Sequence, residues 1–207
     1  MPSTELSVEE TMGGANSTAR EYQSNAPVKQ VIGNYSKVIG QKEERTYTNR
    51  NAVRIIVINA IGHMAVLEDK DKSYYSLPNG IVAYDADHQN AGEESVKEQL
   101  GCEVVVYEEC IAAAEEWRGD LHQQSFCYVA RMMEDKEKTE LLSVEGRDGL
   151  QIMWVEVNEA IGMMKKSKPT SELGKSVRER DLFFVKEYDR LLWSGGLRAM
   201  YDDWFKV

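Results

Sequence analysis

The chain has 207 residues, 42% hydrophobic and 29% charged, which suits one globular domain with a sizeable core and modest extensions. Its formal net charge of −10 sets bulk electrostatics against nucleic-acid phosphates and anionic membrane surfaces, while leaving room for a local basic site that takes an anionic small molecule. No apolar run approaches the roughly 18–20 residues of a membrane span, and no basic N-terminal region precedes an apolar one, so the cytoplasm is the expected location.

Residues 1–40 are polar and read as a tail, its first 25 or so residues disordered and the remainder adding an edge strand around Val38-Ile39. The domain proper is expected over 41–195. Residues 53–58 are β-branched and nearly continuously apolar, the pattern of a strand buried on both faces. Gly62 supplies a turn, and 64–67 read as the returning strand of a hairpin. Residues 74–78 lead into a loop at Asn79-Gly80. From His88 to Leu100 the period changes to a helix, with Asp87 as N-cap and Gly101 where a C-terminal glycine belongs. Residues 103–107 form a strand. Residues 111–117 and 125–132 form an antiparallel pair around a polar turn at Gly119, with the polar run from His122 to Gln124 preceding the second strand. A further strand at 151–155 runs into a short helix at 158–165. The longest helix follows Pro169, capped by Thr170 or Ser171, with Val177, Phe184 and Tyr188 at helical spacing and Gly195-Gly196 at its end. The apolar residues of 196–207, including Met200, Tyr201, Trp204 and Phe205, either dock on the domain or form a homodimer contact. This order of elements is satisfied by a mixed sheet with helices on both faces.

Several chemistries lack their motifs. There is no phosphate-binding loop of Walker type, no GxGxxG after a strand, no HExxH and no GxSxG. Cys102, Cys110 and Cys127 are odd in number, form no CxxC pair and sit beside apolar stretches, so they read as buried reduced thiols.

The informative window is Leu77 to Cys102, LPNGIVAYDADHQNAGEESVKEQLGC, and it resembles the Nudix box. That box runs Gly, five residues, Glu, seven residues, Arg-Glu, an aliphatic residue, any residue, Glu-Glu, any residue and Gly. Laid on this chain without gaps, its first glycine falls on Gly80, the aliphatic position on Val96, the first Glu of the pair on Glu98 and the last glycine on Gly101. The resemblance covers roughly 52–192 and implies a Nudix-type α/β/α sandwich with a mixed sheet. The departures are specific. Ala86 stands where the family has Glu, Glu94-Ser95 where it has Arg-Glu, and Gln99 where it has the second Glu of its pair. Positions 95, 98 and 99 share one helical face, where the family's carboxylates hold magnesium or manganese against the substrate diphosphate. Each missing carboxylate forfeits a gross attraction of roughly 4 kcal/mol per metal charge at an effective dielectric of about 20. No metal cofactor is therefore expected, and magnesium or manganese enters only if the chain is a hydrolase after all.

Candidate catalytic residues are Glu98, Glu115, Glu116 and His122. Gly80, Tyr84, Trp117, Arg118, Gln124 and Glu145 are candidate substrate contacts, Glu145 because many Nudix proteins carry an additional acid before the corresponding strand. Three functional readings stand side by side: metal-independent isomerase, cyclase or lyase chemistry on a metabolite, in a biosynthetic setting; magnesium-dependent hydrolysis of a diphosphate-linked metabolite; and ligand binding without turnover. The expected partner in each is a small molecule, not nucleic acid or membrane.

Overall fold

A computed structural model of the chain describes residues 36–83, 86–133, 143–145 and 150–197. The tail at 1–35, Tyr84 and the apolar residues beyond 197 lie outside them.

The strands in chain order are β1 (Ser36–Ile39), β2 (Thr48–Ile58), β3 (Met64–Asp69), β4 (Tyr74–Ser76), β5 (Asn79–Val82), β6 (Val104–Arg118), β7 (Leu121–Met132), β8 (Ser143–Glu145) and β9 (Gln151–Val155). The helices are α1 (His88–Leu100), α2 (Val157–Lys166) and α3 (Glu172–Ser194). The strands join in one sheet in the order β1-β6-β7-β2-β3-β9-β8, with β4 on β3 and β5 on β2. The pairs β1/β6 and β2/β7 are parallel and the others antiparallel, so the sheet is mixed. No described helix is long and apolar enough to cross a membrane.

Strand alternation divides the core into two layers. Val53, Ile55 and Val57 of β2 face α1 and pack with Val96, Val106, Phe126 and Tyr128. Ile56 and Ile58 face the other way and pack with Ala160 and Met164 of α2 and Phe184, Val185 and Tyr188 of α3. The result is the α/β/α sandwich with a mixed sheet that the sequence leads one to expect.

Helix ends follow local chemistry. The Asp87 carboxylate accepts from the amides of Gln89 and Asn90, and Gly101 closes α1 at φ 70°. Ser171 Oγ accepts from Gly174 N at the start of α3, and Gly195 closes it at φ 74°.

Four sequence expectations are corrected. Residues 103–107 and 111–117 are not two strands: β6 is continuous, bending through register shifts between Val106 and Cys110 and between Cys110 and Ala112, which absorb the polar Glu108-Glu109. His122, Gln123 and Gln124 lie within β7 rather than before it. β2 and β3 are not a full hairpin, since they meet only at Ile58 and Met64; β2 pairs along its length with β7 and over Asn51–Arg54 with β5. Asn79-Gly80 belongs to β5, not to a loop.

Candidate functional site

The α1 face carries two groups of polar residues. The first is a cavity of about 410 Å³ between β5 and α1, lined by Asn79, Gly80, Ile81, Ala91, Glu94, Ser95, Glu98 and Gln99. Gly80 is required here by close approach, because a Cβ at this position would lie 2.0 Å from Ser95 Oγ. Ser95 turns its hydroxyl back along its own helix, donating to Ala91 O at 2.7 Å. Gln99 clamps the backbone of Asn79. Its Oε1 accepts from Asn79 N at 3.2 Å, and its Nε2 donates to Asn79 O at 2.5 Å. Gln99 thus ties α1 to β5, while the Ser95 hydroxyl is spent within its own helix. Glu94 and Glu98 are one turn apart on the exposed side of the helix. Two like charges at that spacing repel slightly. Among the described residues no group of three or more His, Cys, Asp or Glu side chains is placed to hold a metal ion. Of Ser95, Glu98 and Gln99, only Glu98 offers the carboxylate charge that a hard divalent cation prefers.

The second group lies further along the sheet. In register, Asn49, His122 and Trp117 sit side by side on β2, β7 and β6, and Asn51, Gln124 and Glu115 form the next row. His122 Nε2 is 2.8 Å from Glu115 Oε1, and His122 Nδ1 is 2.7 Å from Asn49 Oδ1. The imidazole also stacks on the Trp117 indole, with centroids 3.8 Å apart and planes 10° apart. Tyr47 meets the same indole edge-on, and the Lys42 ammonium lies 5.2 Å from its centroid. His122 is therefore fixed by two hydrogen-bond partners and a ring, while Glu115 keeps one oxygen away from it and a side chain that is 36% exposed. Gln124 is exposed beside them.

The run from Glu115 to Arg118 is divided between the two faces of the sheet. Glu115 and Trp117 point to the α1 face with His122, but Glu116 and Arg118 point to the α3 face. There Glu116 is buried, with Oε2 2.9 Å from Arg180 Nη1 and Oε1 2.9 Å from Arg118 Nε. Arg180 also meets its neighbour Asp181 at 2.9 Å, and the second Asp181 oxygen accepts from Leu77 N. Arg54, fully enclosed, stands 3.7 Å from Asp181. That is an ion pair but not a hydrogen bond, and Arg54 Nε has no hydrogen-bond partner. Loss of hydration, helped by repulsion from Arg180, pulls Arg54 down to about 9. Arg50 is lowered too, first by desolvation and then by Arg118, and it donates twice to Gln123 Oε1.

Glu145 is placed in β8, paired with Gln151 at the edge of the sheet opposite β6 and β7. The structure does not bring its backbone to the His122 group. Tyr84 falls outside the described residues. The cysteines are all free and buried, and burial raises Cys110 to about 11.

The reading from sequence missed Asn49, Asn51, Asn79 and the Arg54–Asp181–Arg180 network. Two signals pointed to the last. Arg54 interrupts an otherwise apolar strand, and a charge there requires a buried partner. Asp181 lies on the α3 stripe of Val177, Phe184 and Tyr188, where an apolar residue belongs.

No family model matches the chain, and no curated protein is significantly similar to it in sequence. Solved structures are similar to it in shape. The MutT protein from Methanosarcina mazei Go1 is 15% identical, with a TM-score of 0.48 over 72% of this chain and 97% of that one. The ORF135 protein of E. coli is 13% identical, with a TM-score of 0.47 over 70% and 91%. The C. elegans Ap4A hydrolase is 13% identical, with a TM-score of 0.47 over 70% and 99%.

Proposed function

We propose that this is a Nudix-fold enzyme whose α1-face cleft carries out metal-independent acid–base chemistry on a small metabolite, of the isomerase, cyclase or lyase type. The observation that carries this reading is the state of Ser95 and Gln99. They stand where the family's box places two metal-binding carboxylates, and both are committed to neutral hydrogen bonds within the fold. Among the described residues, only Glu98 and Glu94, one turn apart, leave acidic oxygens at that cavity.

Proton transfer then falls to the second group. Glu115 is half-exposed, held from one side by His122, and open on the other to a proton from a bound substrate. His122 orients the carboxylate, and Asn49 and Trp117 hold the ring. Gln124 and Asn51 flank Glu115 in its row and supply neutral hydrogen-bonding groups for a substrate's oxygen atoms.

Calorimetric titration with magnesium and manganese tests the metal-independent half. No micromolar site is expected in the native protein, and clear micromolar binding overturns the reading in favour of a hydrolase. The double variant Ser95→Glu/Gln99→Glu restores two carboxylates and is expected to bind manganese measurably. If it does not, the placement of the box on this helix is wrong. Glu115→Gln is expected to abolish turnover of any metabolite the protein is found to convert, while leaving that metabolite's binding within a few-fold.

A further inference from the structure

On the other side of the sheet, where α2 ends and α3 begins, a cavity of about 640 Å³ is lined by Lys165, Lys166, Ser167, Lys168, Pro169, Lys175 and Arg178. Five of the chain's 25 basic residues line this one corner, and among the described residues no acidic one does. The local field is therefore opposite to that of a protein carrying a net charge of −10.

The wall is built rather than frayed. Arg178 is anchored across the two helices, donating from Nε to Met164 O at 2.9 Å and from Nη2 to Lys165 O at 2.7 Å. These are C-terminal carbonyls of α2, so the arginine covers groups that would otherwise repel an anion. Ser167 Oγ donates to Met164 O at 2.9 Å. Pro169 packs so closely on α3 that a Cβ at Gly174 would lie 2.8 Å from it. Lys175 shares its charge with Glu172 at 2.7 Å, but Lys165, Lys166 and Lys168 have no ion pair among the described residues. Among the described residues, three ammonium groups without an ion pair and a fixed guanidinium thus line a volume large enough for a small ligand.

We propose that this corner is an anion site for a polyphosphate or phosphate-ester group of a small molecule. It is separate from the α1 cleft, because α2 and α3 pack on the opposite face of the sheet, and it does not depend on what that cleft does.

The test is calorimetric titration of the full chain with inorganic triphosphate at low salt. Saturable one-to-one binding is expected, weakening as salt rises. The charge reversal Lys166→Glu/Lys168→Glu alters only exposed side chains and is expected to weaken that binding about tenfold or more. Arg178→Gln should weaken it as well, with circular dichroism confirming that α2 and α3 persist. No saturable binding by the native chain overturns the proposal. So does an affinity that Lys166→Glu/Lys168→Glu leaves unchanged, which would put the anion elsewhere. Binding seen only with phosphatidylserine vesicles or with DNA, and not with triphosphate, overturns it too.

Discussion

Arg180 Nη1 and Glu116 Oε2 are 2.9 Å apart, with both side chains 3% exposed or less, and this pair joins the middle of α3 to the end of β6. Glu115, its immediate neighbour, points to the opposite face and pairs with His122. One peptide unit therefore separates a buried carboxylate that holds the fold together from a part-exposed one on the other face of the sheet.

The two glutamates should respond differently to the same change. Glu116→Gln leaves buried Arg180 facing a neutral amide, with Asp181 as its remaining carboxylate, and breaking a buried ion pair in this way costs about 3–5 kcal/mol. Glu115→Gln removes only a half-exposed charge and should change stability by less than about 1 kcal/mol. Urea denaturation of both variants checks this. Equal losses would show that the division between faces is wrong.

Gln99 offers a narrower test of the α1–β5 contact. Its amide both accepts from and donates to the backbone of Asn79, and a carboxylate can only accept. Gln99→Glu should therefore be destabilising by roughly 1–3 kcal/mol, because Asn79 O loses its donor and gains a negative neighbour. Glu98→Gln, on the exposed side of the same turn, should be near neutral. Thermal unfolding of the two variants side by side reads out the difference.

His88 gives the protein a pH dependence. The ring is buried at the start of α1, with Nδ1 2.8 Å from the Tyr128 hydroxyl and Nε2 buried without a partner. Desolvation lowers its pKa below the ordinary 6.5, and Asp87 only partly opposes this. The unfolded chain takes up the proton first as pH falls, so the contribution of neutral His88 is complete above about 6.5 and is progressively lost below it. Denaturant midpoints measured from pH 7.5 down to about 5 should fall in the native protein. They should fall less in His88→Gln, which keeps an acceptor for Tyr128 and has nothing to titrate. Parallel slopes would remove His88 from the explanation.

Local chemistry made much of the fold legible. Asp87 with Gly101 and Ser171 with Gly195 mark both ends of α1 and α3, because caps act within a turn of the residues they satisfy. The apolar run in β2 announced a strand covered on both sides, and helical spacing put Ser95, Glu98 and Gln99 on one face of α1, the face that lines the cavity against β5. Tertiary structure alone decided the rest. Whether β6 is one strand or two depends on bulges that form only against β7, and those bulges set the phase of every residue after them. A shift of one residue would exchange Glu115 and Glu116 between the faces, so the candidate base could not be told from its structural neighbour by reading the chain. Arg54 needed a partner by its own burial, but that the partner is Asp181, on a helix far along the chain, follows from packing and not from any local pattern.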